Sequence, residues 1–143
     1  KVQMPRVKIE LPKEFIFETS IKVRIGDVNY GGHVGNDAIL SIAHTARLEF
    51  LNSFGYSELD VEGVSMIMAD SAIMYKGESF FGDILKIEVT ANDFSKFGFD
   101  LVYKITNQDK KDIAYIKTGM LCFDYEVRKI ALLPEKVVTK FIK

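Results

Sequence analysis

The sequence predicts an α+β domain in which an antiparallel five-stranded sheet wraps around one long central helix. Three observations predict it. Apolar residues recur at three- and four-residue spacing over a single stretch, from Ile39 to Phe54. The stretches after that helix alternate or run apolar and are joined by short connections, the pattern of an antiparallel sheet. The three prolines stand at positions 5, 12 and 134, which leaves a long middle free of breakers. No repeat, low-complexity tract or Gly/Ser linker divides the 143 residues, so residues 1–143 are read as one domain.

Taken in order, Glu18 to Ile25 alternates Ile21, Val23 and Ile25 against Lys22 and Arg24, a half-buried strand. A Gly- and Asn-rich stretch follows from Gly26 to Gly35, too long for a hairpin turn. Asn36 is placed as the helix N-cap and Asp37 in the first turn, where its charge meets the positive end of the dipole. Ile39, Ile42, Ala43, Ala46, Phe50 and Phe54 form the stripe, Leu40, Leu48 and Leu51 widen it, and Gly55 stops the helix after about 19 residues, roughly 28 Å. Val64 to Tyr75 is nearly all apolar and reads as a strand covered on both faces. Asp83 to Ala91 and Phe97 to Ile105 alternate, a turn at Asn107 to Lys111 follows, and a long strand runs from Asp112 to Tyr125. Pro134 opens a short amphipathic tail through Val138 and Ile142.

Composition excludes several function classes. With Lys plus Arg at 19 and Asp plus Glu at 20, the net charge of −1 offers no basic field for nucleic acid. One cysteine cannot form an internal disulfide, and Cys122, between Leu121 and Phe123, reads as a buried structural thiol. Two histidines eleven residues apart lack zinc-ligand spacing, so no metal is expected. No apolar run approaches the length of about 20 residues that spans a bilayer, and the expected compartment is the cytoplasm.

Chemistry concentrates in Arg24-Ile-Gly-Asp-Val-Asn-Tyr-Gly-Gly-His-Val-Gly-Asn-Asp37. This segment packs two acids, two amides, one histidine and four glycines between a strand and a helix start. Glycines permit close backbone approach, and a helix N-terminus presents free N–H groups, so these are the parts of an oxyanion-stabilising loop. They are equally the parts of a Gly-rich connector with a solvated His33. Ser41 and His44 lie three apart on the helix, but Asp37 is about 10 Å from His44 by helix rise, too far to complete a triad. His44 therefore reads as a hydrogen-bonded core residue.

The order of residues adds to this reading. Asp27-x-Asn29-x-x-Gly32-His33-Val34-x-Asn36, followed by Ala46-Arg47-x-x-Phe50-Leu51, resembles the signature of hotdog-fold thioesterases, in the branch of 4-hydroxybenzoyl-CoA and bacterial acyl-CoA thioesterases. Tyr75-Lys76 and Phe81-Gly82-Asp83 are similar to a later element of that branch, with its Pro absent. The resemblance spans roughly residues 18 to 125. It implies a hotdog fold and, at the position of Asn29, a catalytic Asp. The helix positions that commonly hold a Glu pair are here His44 and Thr45. An amide orients water or bonds a thioester oxygen but accepts no proton, so a carboxylate must come from elsewhere: Asp27, Asp37 or, on the apolar strand, Asp70. Asp70 interrupts that run and would face Asn29 of a second chain.

The implied function is hydrolysis of acyl-CoA or acyl-carrier-protein thioesters, with coenzyme A entering as part of the substrate and no other cofactor. Asp27, Asn29, His33 and Asp70 are the catalytic candidates. Tyr30, Gly32, Val34, Asn36, Asp37 and Ser71 are the substrate-binding candidates. Backbone N–H groups from Gly32 to Val34 would polarise the carbonyl, with Ala43 and Ala46 leaving room for the acyl chain. Two alternatives stand beside it. One is an acyl-CoA-binding protein without hydrolysis. The other is an enoyl-CoA hydratase or dehydratase, whose Gly-Asp-x-Asn-Pro-x-His loop is matched at its start by Gly26-Asp27-Val28-Asn29, with Tyr30 for Pro and His33 one residue late. An open sheet edge and the apolar strand predict a homodimer, paired again in a homotetramer or not, with sites shared between chains.

Overall fold

The computed structural model describes residues 6–142; Pro5 lies outside them. Strands β1 (Phe17–Lys22), β2 (Ser65–Tyr75), β3 (Ile84–Asn92), β4 (Gly98–Thr106), β5 (Asp112–Asp124) and the two-residue β6 (Lys129–Ile130) accompany helices α1 (Asn36–Ser53) and α2 (Glu135–Ile142). All pairings are antiparallel, in the order β1-β3-β4-β5-β2, with β6 added to β5. Among the described residues the five long strands form the expected antiparallel sheet, and the two-residue β6 adds a sixth at its margin. The extra pair arises because Asp124 accepts the N–H groups of Glu126 and Val127 and Arg128 takes a positive φ, folding the chain back after β5.

Helix α1 fills the concave face of this sheet. Ala38, Ile39, Ile42, Ala43, Ala46 and Phe50 are buried against Leu85, Ile87, Leu101, Tyr103, Ile105 and Ile116, and each fully buried large aliphatic or aromatic side chain stabilises by about 1.5–3 kcal/mol. The helix begins one residue earlier than a capping Asn36 would have it. Gly35 is the N-cap, its carbonyl taken by Ala38 and Ile39, and Asn36 is already helical. Its C-terminus closes as a Schellman motif: Gly55 at φ +80 donates to the Asn52 carbonyl and Tyr56 to that of Leu51. In α2, Val137 and Phe141 face inward rather than Val138 and Ile142. Phe141 lies among Phe50, Phe54, Tyr56 and Phe99, a ring cluster that decides the rotation of the helix.

Two departures from the sequence reading shape the site. Sequence neighbours β2 and β3 are not sheet neighbours; β2 pairs with β5 at the far edge, and the 76–83 connection crosses back past the start of α1, where Val34 donates to the Ser79 carbonyl at 2.7 Å. As an edge strand, β2 has a neighbour on one side only among the described residues. Its centre, Met68 to Ser71, is exposed instead of covered, and a bulge between Met68 and Asp70 takes Ala69 out of register. Strand β1 ends at Lys22, and a 3-10 turn at Ile25–Asp27 replaces its expected last residues.

Candidate active site

The loop from Arg24 to Gly35 is held by its own polar groups. Asp27 Oδ2 accepts the Arg24 N–H at 2.9 Å, and Oδ1 lies 3.7 Å from the Arg24 guanidinium, so this carboxylate closes the 3-10 turn. Asn29 organises the next turn. Its N–H donates to His33 O, its carbonyl accepts from Gly32, and its Oδ1 accepts from Gly31 at 2.9 Å. Gly32 takes φ +83, a conformation that disfavours any side chain. Tyr30 stands at the exposed tip, Val34 is buried as the anchor, and His33 is half-buried with Nε2 3.6 Å from Glu78.

These bonds decide what remains for a ligand. The N–H groups of Gly32 and Val34, expected as carbonyl donors, are spent on Asn29 and Ser79, and that of Gly35 on Asp27. Among the described residues, the N–H groups of His33, Asn36 and Asp37 have no protein acceptor. With its oxygen engaged, Asn29 keeps Nδ2 as its free polar atom. The N–H groups of Asn36 and Asp37 stand at the positive end of an 18-residue helix, and Asn29 Nδ2 lies 3.9 Å from where a Cβ on the N-cap Gly35 would stand. Asp37 folds back over Gly35, its Oδ1 2.7 Å from where a Cβ on that glycine would stand.

The second strand contributes differently. Asp70 pairs with Gly119 and lays its carboxylate over that residue, whereas the flanking Thr118 and Met120 are buried toward α1. Alternation therefore puts Asp70 on the sheet face away from the helix, exposed rather than buried in need of a partner. Ser71, paired with Thr118, faces the helix side and is also exposed. Within one chain neither approaches the loop set of Asn29, His33, Asn36 and Asp37 closely enough to form a hydrogen bond with it.

A polar chain lies further along α1. His44 is half-exposed, not in the core, and its Nε2 meets Glu58 Oε1 at 3.0 Å. Glu58 Oε2 accepts from Arg47 Nε at 3.0 Å, Arg47 donates to the Tyr103 hydroxyl at 3.3 Å, and that hydroxyl meets Thr118 Oγ1 at 2.8 Å. Burial alone would raise the Glu58 carboxyl, but His44 and Arg47 hold it below the usual carboxylate range. Burial raises the Tyr103 phenol, so it remains protonated. A cavity of about 210 Å³ opens beside this chain, lined by Leu40, Ser41, Ala43, His44, Arg47, Met68 and Thr118. Ala43 thus borders open space as expected, whereas Ala46 is fully buried.

The sequence model of the thioesterase-like superfamily matches residues 23–141, from just after β1 into the last turn of α2. The chain belongs to this superfamily. A 1,4-dihydroxy-2-naphthoyl-CoA hydrolase of Synechococcus elongatus is 28% identical over 120 residues, 80% of this chain and 87% of its own length. The crystal structure of a 1,4-dihydroxy-2-naphthoyl-CoA thioesterase from Synechocystis superposes with a TM-score of 0.80 at 22% identity, covering 89% of this chain and 96% of that one. A gentisyl-coenzyme A thioesterase superposes with a TM-score of 0.77 at 19% identity, over 87% of this chain and 99% of its own. The fold of this thioesterase-like chain is the hotdog, six antiparallel strands around one helix with a second helix at the end.

Sequence reasoning overlooked Glu58, Tyr103 and Thr118 as members of a polar chain and treated Arg47 only as part of a pattern. A signal existed. Arg47 follows Ala43 and Ala46 inside the apolar stripe of a thioesterase-like helix, and a buried guanidinium requires a carboxylate. Which carboxylate answers depends on the loop after the helix. Cys122 is fully buried, with its thiol pushed up to about 11 by burial, as a structural thiol should be.

Proposed function

We propose that the chain hydrolyses CoA thioesters, holding the thioester carbonyl at the start of α1. The observation that carries this reading is the donor cluster of Asn36 and Asp37 N–H with Asn29 Nδ2, at the positive end of α1. Negative charge develops on the carbonyl oxygen as water adds, and fixed donors favour that state over the neutral ester. Aromatic hydroxy-acyl thioesters are the first substrates to try, because the matched relatives act on 1,4-dihydroxy-2-naphthoyl-CoA and gentisyl-CoA. The cavity beside α1 supports this choice, with Leu40, Ala43 and Met68 as apolar wall and Arg47 and Thr118 as polar contacts. An acyl-carrier-protein thioester presents the same carbonyl. Tyr30, Gly32 and Val34 act through the loop conformation rather than by direct chemistry. Asp27 serves as the turn's clasp, and Asp70 and Ser71 join a site only through a second copy.

The test is release of free thiol from a panel of aromatic, short-chain and long-chain acyl-CoAs. Turnover is expected on the aromatic members, and Asn29→Ala should lower kcat by about 10²-fold, the effect of losing one oxyanion donor. No release above background across the panel overturns the reading. A second reading, acyl-CoA binding without hydrolysis, is favoured by the amide at position 29 and by the clasped Asp27 carboxylate. It predicts a calorimetric binding signal with no product.

A further inference from the structure

We infer that His44 is the general base of this reaction, taking the proton of the attacking water on Nδ1; the inference rests on the thioesterase reading above. Nε2 of His44 lies 3.0 Å from Glu58 Oε1, a carboxylate that requires a proton on that nitrogen. The neutral ring therefore carries its lone pair on Nδ1. Glu58 is itself gripped by Arg47, whose side chain is 7% exposed, and Arg47 by Tyr103 and Thr118. A solvated surface histidine needs no such anchorage. Here the imidazole is oriented by a chain that ends inside the core, the orienting arrangement that histidine bases require.

The cavity supplies the second argument. Of the residues that line it, His44 is the one that offers an imidazole nitrogen as a proton acceptor. Asp27 is committed to Arg24, and Asp83 to Ser79, Phe80 and Gln108, while Asp37 stands over Gly35 at the start of α1 and does not line the cavity. Asp70 lies on the far face of the sheet.

The donor cluster and His44 serve one carbonyl across two chains. Asn36 and His44 are eight residues apart on α1, about 12 Å by helix rise, too far for one site. Strand β2 runs antiparallel alongside α1: the Tyr75 hydroxyl reaches Asn36 O at 3.5 Å, and Met68 borders the same cavity as His44. Its unpaired edge is exposed from Met68 to Ser71. A two-fold pairing of this edge with that of a second copy, centred near Ser71, turns the partner's α1 end for end. The start of that helix then lies beside His44.

In the step itself, water gives a proton to Nδ1 as its oxygen bonds to the thioester carbon. The carbonyl π pair moves onto oxygen at the donor cluster. Collapse of the tetrahedral adduct breaks the C–S bond, the pair leaves on sulfur, and the imidazolium returns its proton to that sulfur. The products are a carboxylic acid and the CoA thiol, and no other reactant is consumed.

The experiment compares wild type, His44→Ala and His44→Gln on the acyl-CoA panel, with and without added imidazole. Glutamine keeps a donor for Glu58 but no base, so it controls for structure. Both variants are expected to lose at least about 10²-fold in kcat with KM within a few-fold, and imidazole should restore part of the loss in His44→Ala. Wild-type turnover with either variant within threefold of it overturns the inference and leaves the thioesterase reading standing. Loss in both with raised KM and no recovery by imidazole makes His44 a binding residue and overturns it too. A wild type without turnover on any member overturns both.

Discussion

At residue scale, the tightest constraints fall where the backbone leaves no room for a side chain or where a buried polar atom has one partner. A Cβ on Gly98 would stand 2.0 Å from the Met120 carbonyl oxygen, and neither strand can yield without breaking its pairing. Gly98→Ala is expected to cost about 3 kcal/mol, read as a lowered urea midpoint. Tyr103→Phe removes the hydroxyl that joins Arg47 to Thr118 and should cost about 1–3 kcal/mol by the same measurement. The Glu58 carboxyl adds a pH dependence of definite sign. Burial opposes its ionisation, yet His44 and Arg47 hold it below the usual range. Its contribution is therefore fully present above an ordinary glutamate pKa of about 4.3 and is lost as the pH falls through the lower folded value. Urea midpoints from pH 6 to pH 3 should fall more steeply for wild type than for Glu58→Gln.

At the scale of elements, α2 shows how packing sets what a short helix can do. Eight residues are too few for a helix to persist alone, so it depends on the face it buries. Phe141 contributes four ring contacts to that face, with centroids 5.0–6.2 Å away. Phe141→Ala should cost about 3–5 kcal/mol, whereas Ile142→Ala, at a 65% exposed position, should stay within about 0.5 kcal/mol. Thermal unfolding of the two variants side by side checks the contrast. Strand β2 makes the opposite case. Its eleven residues pair on one side only, and its exposed centre is an unpaired edge of the kind that joins a second sheet.

At the scale of the whole molecule, the proposed two-fold assembly has consequences that one chain lacks. Sedimentation equilibrium at micromolar concentration should give twice the 16.2 kDa chain mass, or four times it where dimers pair again. A lysine placed on the exposed edge by Ala69→Lys should yield a folded monomer and abolish turnover, since the donor cluster and His44 then stay about 12 Å apart. Mixing Asn29→Ala chains with His44→Ala chains should restore part of the activity. One site of the mixed dimer then carries both lesions and the other carries neither. Subunit exchange without recovery would place both residues in a single chain's own site or in none.

The sequence by itself determined the pieces whose signals are local. The period of α1 from Ile39 to Phe50, the Gly55 stop, the alternation of β3 and β4, and the pattern from Asp27 to Asn36 each depend on a few adjacent residues, and each points to the same antiparallel sheet around one helix. Tertiary structure decided everything that requires knowing which distant residues meet. Apolar Met66 to Met74 reads alike for a central strand and for an edge strand awaiting a second copy; only the crossover of β2 to β5 distinguishes them. The single bulge beside Asp70 and the pairing with Gly119 set its face, and alternation along the strand cannot reveal a register shift. Glu58 is eleven residues from Arg47 and Tyr103 is fifty-six, so no spacing announces the chain that holds His44. Hydrogen bonding in the loop is likewise a three-dimensional allocation. The same glycines and amides serve as connector or as donor site according to which N–H groups Ser79 and Asp27 have already taken.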